Sequence, residues 1–199
     1  MKNVFRLVLV ALALALASAS IATAAPATYK IDQNHTEVGF DVKHFFTKVH
    51  GTFKEFSGTI VFDPADVKNI KIDASAKTAS VFTNNDRRDG HLRSADFFAA
   101  DSFPTISFNS TSVKANGKDK YKITGDFTLR GVTKVVTFDG EFLGAGSVGA
   151  MGTKAGFTAM TVINRKDYGV NWNKTLDQGG VMLGDDVTIT LAIEADLVP

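Results

Sequence analysis

Short runs in which apolar and polar residues alternate dominate the chain. "HTEVGFDVK" sets Val38, Phe40 and Val42 on one face and Glu37, Asp41 and Lys43 on the other. "FSGTIVFD" aligns Phe56, Ile60 and Phe62, and "NIKIDASAK" aligns Ile70, Ile72, Ala74 and Ala76. "PTISFNS" contributes Ile106 and Phe108. "YKITGDFTL" contributes Tyr121, Ile123, Gly125, Phe127 and Leu129. The same period continues through Val136, Phe138 and Phe142, then Ala155, Phe157, Ala159 and Ile163, and finally Val187, Ile189, Leu191, Ile193 and Ala195. A period of two is the mark of a half-buried β-strand. The pattern predicts eight strands, with Thr28 to Ile31 as a short extension of the first.

Turn residues separate the runs. Asn116-Gly117 is a strong hairpin signal and Arg130-Gly131 a second one. The glycine-rich "GAGSVGAMG", Gly144 to Gly152, lies between two strands with no helix after it. It is therefore expected to be a flexible loop rather than a phosphate cradle. Eight two-faced strands in succession close most naturally into an antiparallel barrel, which removes exposed sheet edges. A β-sandwich is the alternative that alternation alone does not exclude.

One stretch departs from the period. In "NNDRRDGHLRSADFF", Leu92, Ala95 and Ala99 recur at helical spacing, and Asn84 or Asn85 is placed to cap the start. Gly90 costs such a helix roughly 1 kcal/mol. So short a helix must dock through Leu92 and Phe98, as a lid or plug at one end of the barrel. Arg88, His91 and Arg93 offer donors for a phosphate or a quinone oxygen. The competing reading is that Arg88 and Asp89 only fix the insert to the barrel rim.

The first residues do not belong to this fold. Lys2 and Arg6 precede an apolar core from Leu7 to Ala17, and Ala22-Thr23-Ala24 has the form of a cleavage site. Residues 1–24 are expected to be a signal peptide cut between Ala24 and Ala25, leaving residues 25–199 as one exported domain. Removing Lys2 and Arg6 takes the net charge from +1 to −1. That leaves no broad basic field for nucleic acid or an anionic membrane, and no stable membrane insertion of the mature chain is expected. The chain has no cysteine, which excludes a disulfide framework and thiolate metal sites.

The inward face mixes bulky Phe and Ile with Gly125, Gly140, Ala74, Ala76, Ala155 and Ala159. An eight-stranded barrel is either just filled by its side chains or holds one small ligand, and the pattern leaves both open. Sixteen phenylalanines against three tyrosines and one tryptophan suit a hydrocarbon better than a sugar or nucleotide. GxSxG and the P-loop are absent. His35, His44, His50 and His91 are too scattered for a metal motif, so neither metal nor cofactor is expected.

"RDGHLRSADFF" with "FPTISFNSTSV" and "GDFTLRGVTK" closely resembles the YceI-like family, as do "YKIDQNHTEVGFDVKH", "GTFKEFSGTIVFD" and "AGFTAMTVINRKDYGV". The resemblance runs over essentially the whole mature chain. It implies a periplasmic protein with a lipocalin-like barrel that binds a long-chain isoprenoid, a quinone or a related acyl amphiphile, without catalysis. The expected lining is Val38, Phe40, Val42, Phe56, Ile60, Phe62, Ile72, Ala74, Phe98, Ile106, Phe108, Ile123, Gly125, Phe127, Phe138, Phe157, Ala159, Ile189 and Leu191. His35, Arg88 and His91 are the candidate head-group contacts. Two other classes compete: an enzyme acting on a prenyl ligand through Asp89 and His91, and a stress-related protein with a dry core. A homodimer is left open.

Overall fold

The computed structural model describes residues 26–63, 66–175 and 180–199. The expected signal peptide and its cleavage site lie outside the described residues. Among the described residues eleven strands form one antiparallel sheet: β1 (Ala27–Ile31), β2 (Glu37–His44), β3 (Thr47–Phe53), β4 (Phe56–Asp63), β5 (Asp66–Lys77), β6 (Val81–Phe82), β7 (Thr105–Ala115), β8 (Lys120–Leu129), β9 (Val132–Ser147), β10 (Thr153–Asn164) and β11 (Leu183–Leu197). The order is β1-β4-β5-β7-β8-β9-β10-β11, and β11 pairs back to β1. These eight strands close a ring, so the molecule is a barrel and not a sandwich.

The closing strand is the piece expected to be a mere extension. β1 is a separate strand, with Tyr29 opposite Ile60 on one side and Leu197 on the other. β11 is long enough for two partners on one edge: Ala195 to Leu197 face β1, and Val187 to Ala192 face β2. β2 therefore lies beside the ring, continued by β3 and the two-residue β6. β3 was not anticipated, because its alternate positions Val49, Gly51 and Phe53 carry too little apolar signal to read as a strand.

The Arg130-Gly131 turn is a two-residue hairpin with φ of 51° and 74° at its centre, and the β7–β8 loop runs from Asn116 to Asp119. The glycine-rich segment is more ordered than expected. Gly144 and Gly146 are part of β9, and only a single 3-10 turn at Gly149–Met151 separates it from β10.

The helical stretch is α1 (Asp86–Arg93). The Asn85 side chain accepts from the Arg88 N–H at 3.0 Å and caps it. The helix stops at Arg93, six residues short of Ala99. Ala99 instead has φ of 47°, inside a run of turns. Leu92 and Phe98 dock the insert against a cluster that contains Phe40, Phe53 and Val81. Phe98 meets the rings of Phe53 and Phe40 at 5.6 and 6.5 Å. No helix among the described residues is long and apolar enough to cross a membrane.

Candidate ligand-binding cavity

The barrel is packed at one end and hollow beyond it. At the packed end Phe62 is fully buried, with Tyr29, Phe157 and Phe142 around it at ring distances of 4.8, 5.2 and 5.7 Å. Ala155 and Ala195 complete this plug. Past it the inward side chains enclose a cavity of about 880 Å³, at the upper end of the range for small-molecule sites. Ile72, Ala74, Ile106, Phe108, Ile123, Phe157, Ile189 and Leu191 all point into it and all stay only half-buried. Side chains in a dry core are covered by one another. These are covered on one side only.

Every inward residue expected to line the space does so, except Phe62 and Gly125. Phe62 belongs to the plug. Gly125 is absent from the lining because the space above it is taken. A Cβ there would lie 2.4 Å from the Asn109 carbonyl oxygen and 2.6 Å from the Phe108 ring. The glycine makes room for its neighbour's phenylalanine, not for a ligand.

Arg88 and His91 line the cavity, and His35 does not. His35 sits at the packed end, where Nδ1 is 2.7 Å from Asp32. Asp32, His35 and Glu194 bring potential ligand atoms within 4.8 Å of one another. The Lys154 ammonium already occupies that position, at 3.3 Å from Asp32, 2.9 Å from Glu194 and 2.6 Å from Asp196. A fixed cation among carboxylates takes the role that a metal ion would have. Lys154 is a lesser influence on the titration of the cluster. The hydrogen bond with His35, then that from the Asn34 N–H, holds the Asp32 carboxyl down at about 2. The Asp32 hydrogen bond pushes the His35 imidazole up.

The cationic and imidazole groups of the lining gather at the other end, from α1, the β2–β3 hairpin and the segment around Trp172 and Met182. Arg88 donates from Nε to the Thr83 hydroxyl and from Nη2 to the Thr83 carbonyl, both at 2.7 Å. Asp89 is buried and accepts from the Thr83 N–H and hydroxyl. Both residues thus clamp α1 to the end of β6, each through Thr83 and not through one another. His91 holds Asp96 at 2.8 Å and lies edge-on to Phe97 and Trp172, at 5.0 and 4.9 Å.

Several lining residues carried no sequence signal, because they come from irregular segments without a period. Trp172 and Met182 are two. Arg165 is another, held by the carbonyls of Val170, Trp172 and Gly184 at 2.7 to 2.9 Å. Burial lowers its pKa, and Asp185 partly offsets this. It ties the segment after β10 to the start of β11.

The YceI-like domain model matches residues 29–195. The chain belongs to the YceI-like family. It is 43% identical over 151 residues to Protein YceI of Shigella flexneri, covering 74% of this chain and 78% of that one. It is 38% identical over 168 residues to a UPF0312 protein of Staphylococcus aureus, covering 83% and 95%. Among solved structures, the YceI protein of Campylobacter jejuni superposes with a TM-score of 0.69 at 34% identity, over 84% of this chain and 96% of that one. BcnA of Burkholderia cenocepacia gives 0.73 at 23%, over 82% and 98%, and shows the same fold. A polyisoprenoid-binding domain from Saccharophagus degradans gives 0.60 at 14%, over 86% and 99%, again a likeness of fold.

Proposed function

We propose that this YceI-like barrel is an exported carrier that holds the chain of a long isoprenoid or acyl lipid inside the ring. The observation that supports it most is the half-covered aliphatic and phenylalanine wall around about 880 Å³. At a liquid-like share of about 30 Å³ per heavy atom, that space takes about thirty heavy atoms. Each buried CH₂ gains about 0.8 kcal/mol, against an association cost of about 4–15 kcal/mol. A chain of about ten carbons, gaining roughly 8 kcal/mol, barely offsets that cost, whereas one of about twenty gains roughly 16. The cavity favours long tails. The polyisoprenoid-binding domain of the same fold is in keeping with this reading.

The arrangement of the insert favours a carrier over an enzyme. Asp89 faces Thr83 and is not part of the cavity wall, while His91 is turned to Asp96. Two residues apart on a helix, they do not face each other.

The test is to purify the mature chain and extract it for mass spectrometry. A long-chain lipid recovered intact is the expected result. A lipid converted on incubation would favour the enzyme. An empty protein that also fails to take up a prenyl alcohol would leave the dry-core reading. Export makes its own demand. Protein recovered from the envelope fraction should begin at Ala25, and a full-length chain retained in washed membranes would defeat it.

A further inference from the structure

Beside the open end of the cavity stands a feature that holding a lipid inside the barrel does not require. β2 and β3 are joined by Phe45-Phe46, with His44 paired to Thr47 on either side. Two-residue hairpin turns need a positive φ, and so favour glycine, asparagine or aspartate. Here Phe45 takes φ of 51°, which is strained for a bulky residue. Phe46 is 98% exposed, more than any other large apolar side chain described. The turn is nevertheless held in place. The Phe45 N–H donates to the Met182 carbonyl at 2.9 Å, and its ring lies edge-on to His44 at 4.4 Å. His44 and Met182 both line the cavity, so the tip projects from its rim.

Two basic side chains flank the tip. Lys43 and Lys48 are directly opposite in the β2–β3 register and both exposed, an arrangement that repels. Neither has an ion-pair partner among the described residues. The exposed Arg87 joins the cavity wall at the same end. Lys174, also exposed, is tied to the rim through Met182, whose N–H donates to its carbonyl at 2.9 Å. Of the nearby acids, Asp41 is engaged by His50 at 3.0 Å and Asp86 sits in the first turn of α1; Asp185, just after the Gly184 that packs on Lys43, is engaged by Lys166 at 2.9 Å, and the exposed Asp186 follows it.

A strained aromatic, an uncovered aromatic and two facing lysines are separate costs in water, and an anionic bilayer surface relieves the last two. Aromatic rings settle at the headgroup level, and basic side chains gain from anionic headgroups close to the surface. We propose that the Phe45-Phe46 tip docks the cavity mouth on an anionic lipid bilayer. Phe46 enters the headgroup region and Lys43 and Lys48 lie on the headgroups, so that a lipid chain passes between bilayer and barrel without crossing water. With one inserted ring and a few cations the docking is peripheral and reversible. The passage of lipid rests on the carrier reading above; the docking does not.

Flotation with vesicles tests this. The mature protein should float with phosphatidylcholine vesicles containing a third phosphatidylglycerol, and high salt should release it. Phe46→Ser should weaken that association about tenfold while keeping its Tm. The double variant Lys43→Glu/Lys48→Glu should lose the preference for phosphatidylglycerol. The proposal is overturned if the wild type stays unbound, or if Phe46→Ser floats equally well. It is also overturned if Phe46→Ser abolishes self-association of a protein that never floats, which would make the tip a contact between copies. Tip-dependent flotation without uptake of vesicle lipid would uphold the docking and sink the carrier.

Discussion

Two substitutions on the inner face, alike in sequence terms, should have opposite effects. Ala159 is half-buried and lines the cavity, so a phenylalanine there projects into open space. It adds about six heavy atoms to a cavity with room for about thirty at roughly 30 Å³ each. A ligand filling the cavity loses the burial of about six carbons, or about 5 kcal/mol at ~0.8 kcal/mol each. That is roughly a thousandfold or more in Kd. Gly125→Ala adds a single carbon, but 2.4 Å from the Asn109 oxygen and 2.6 Å from the Phe108 ring. Overpacking of this kind costs about 1–3 kcal/mol, which lowers Tm by about 2–4 °C for each kcal/mol in a chain of this size. Ala159→Phe should therefore keep its Tm and lose its ligand, while Gly125→Ala should lose Tm and keep the ligand. Trp172, the only tryptophan, lines the cavity, so its fluorescence reports a titration with a prenyl alcohol of about twenty carbons. The choice of that length follows from the burial arithmetic. If Ala159→Phe destabilises the protein as much as Gly125→Ala does, the interior is packed. If it binds the alcohol as tightly as wild type, the chain lodges elsewhere.

The insert and the packed end make their own demands. Arg88→Gln removes both bonds to Thr83 and should cost about 1.5–3 kcal/mol in thermal or urea unfolding. It should weaken a phosphorylated prenyl ligand and its alcohol together, whereas selective loss of the phosphorylated one would make Arg88 a head-group contact. Arg93→Gln, whose contact to Ala79 is long at 3.4 Å, should change stability by no more than about 0.5 kcal/mol. The pH dependence has two limbs. Asp32 is depressed to about 2 from an unfolded value of about 3.9, so its contribution is whole above about pH 4 and is lost as the pH falls toward 2. His35 is raised, so its contribution is whole below about 6.5, its unfolded value, and fades as the pH rises through the folded one. Tm followed against pH should show Asp32→Asn flattening the acid limb; an unchanged limb would place the acid sensitivity in other carboxylates.

The ring of strands was legible because each strand has one wet face and one dry face, and period two records that directly. The choice of closing strand was not. Thr28 to Ile31 is too short to show a period, and its place depends on β11 being long enough to pair twice along one edge. Period two also sorts residues onto faces without saying what stands above them. Ala159 and Gly125 read alike in sequence, yet only one borders the cavity, because the Phe108 ring leans across β8. Phe62 reads as lining, yet aromatic rings from β1, β9 and β10 cover it. The insert announced its helix and its cap, but the target of its charges, Thr83, lies before it in an unremarkable "FTN".

Closure by β1 and β11 has a consequence for how the protein comes to exist. Hairpins such as β7–β8 and β9–β10 join neighbours along the chain and are available early, since local contacts close small loops. The ring closes only when the first described strand meets the last, and joining such distant segments is slow. Until then the inner wall is an open curved sheet, with no enclosed volume. The cavity is therefore the last thing to form, and on the carrier reading its ligand finds a place only after the last described strand has been made.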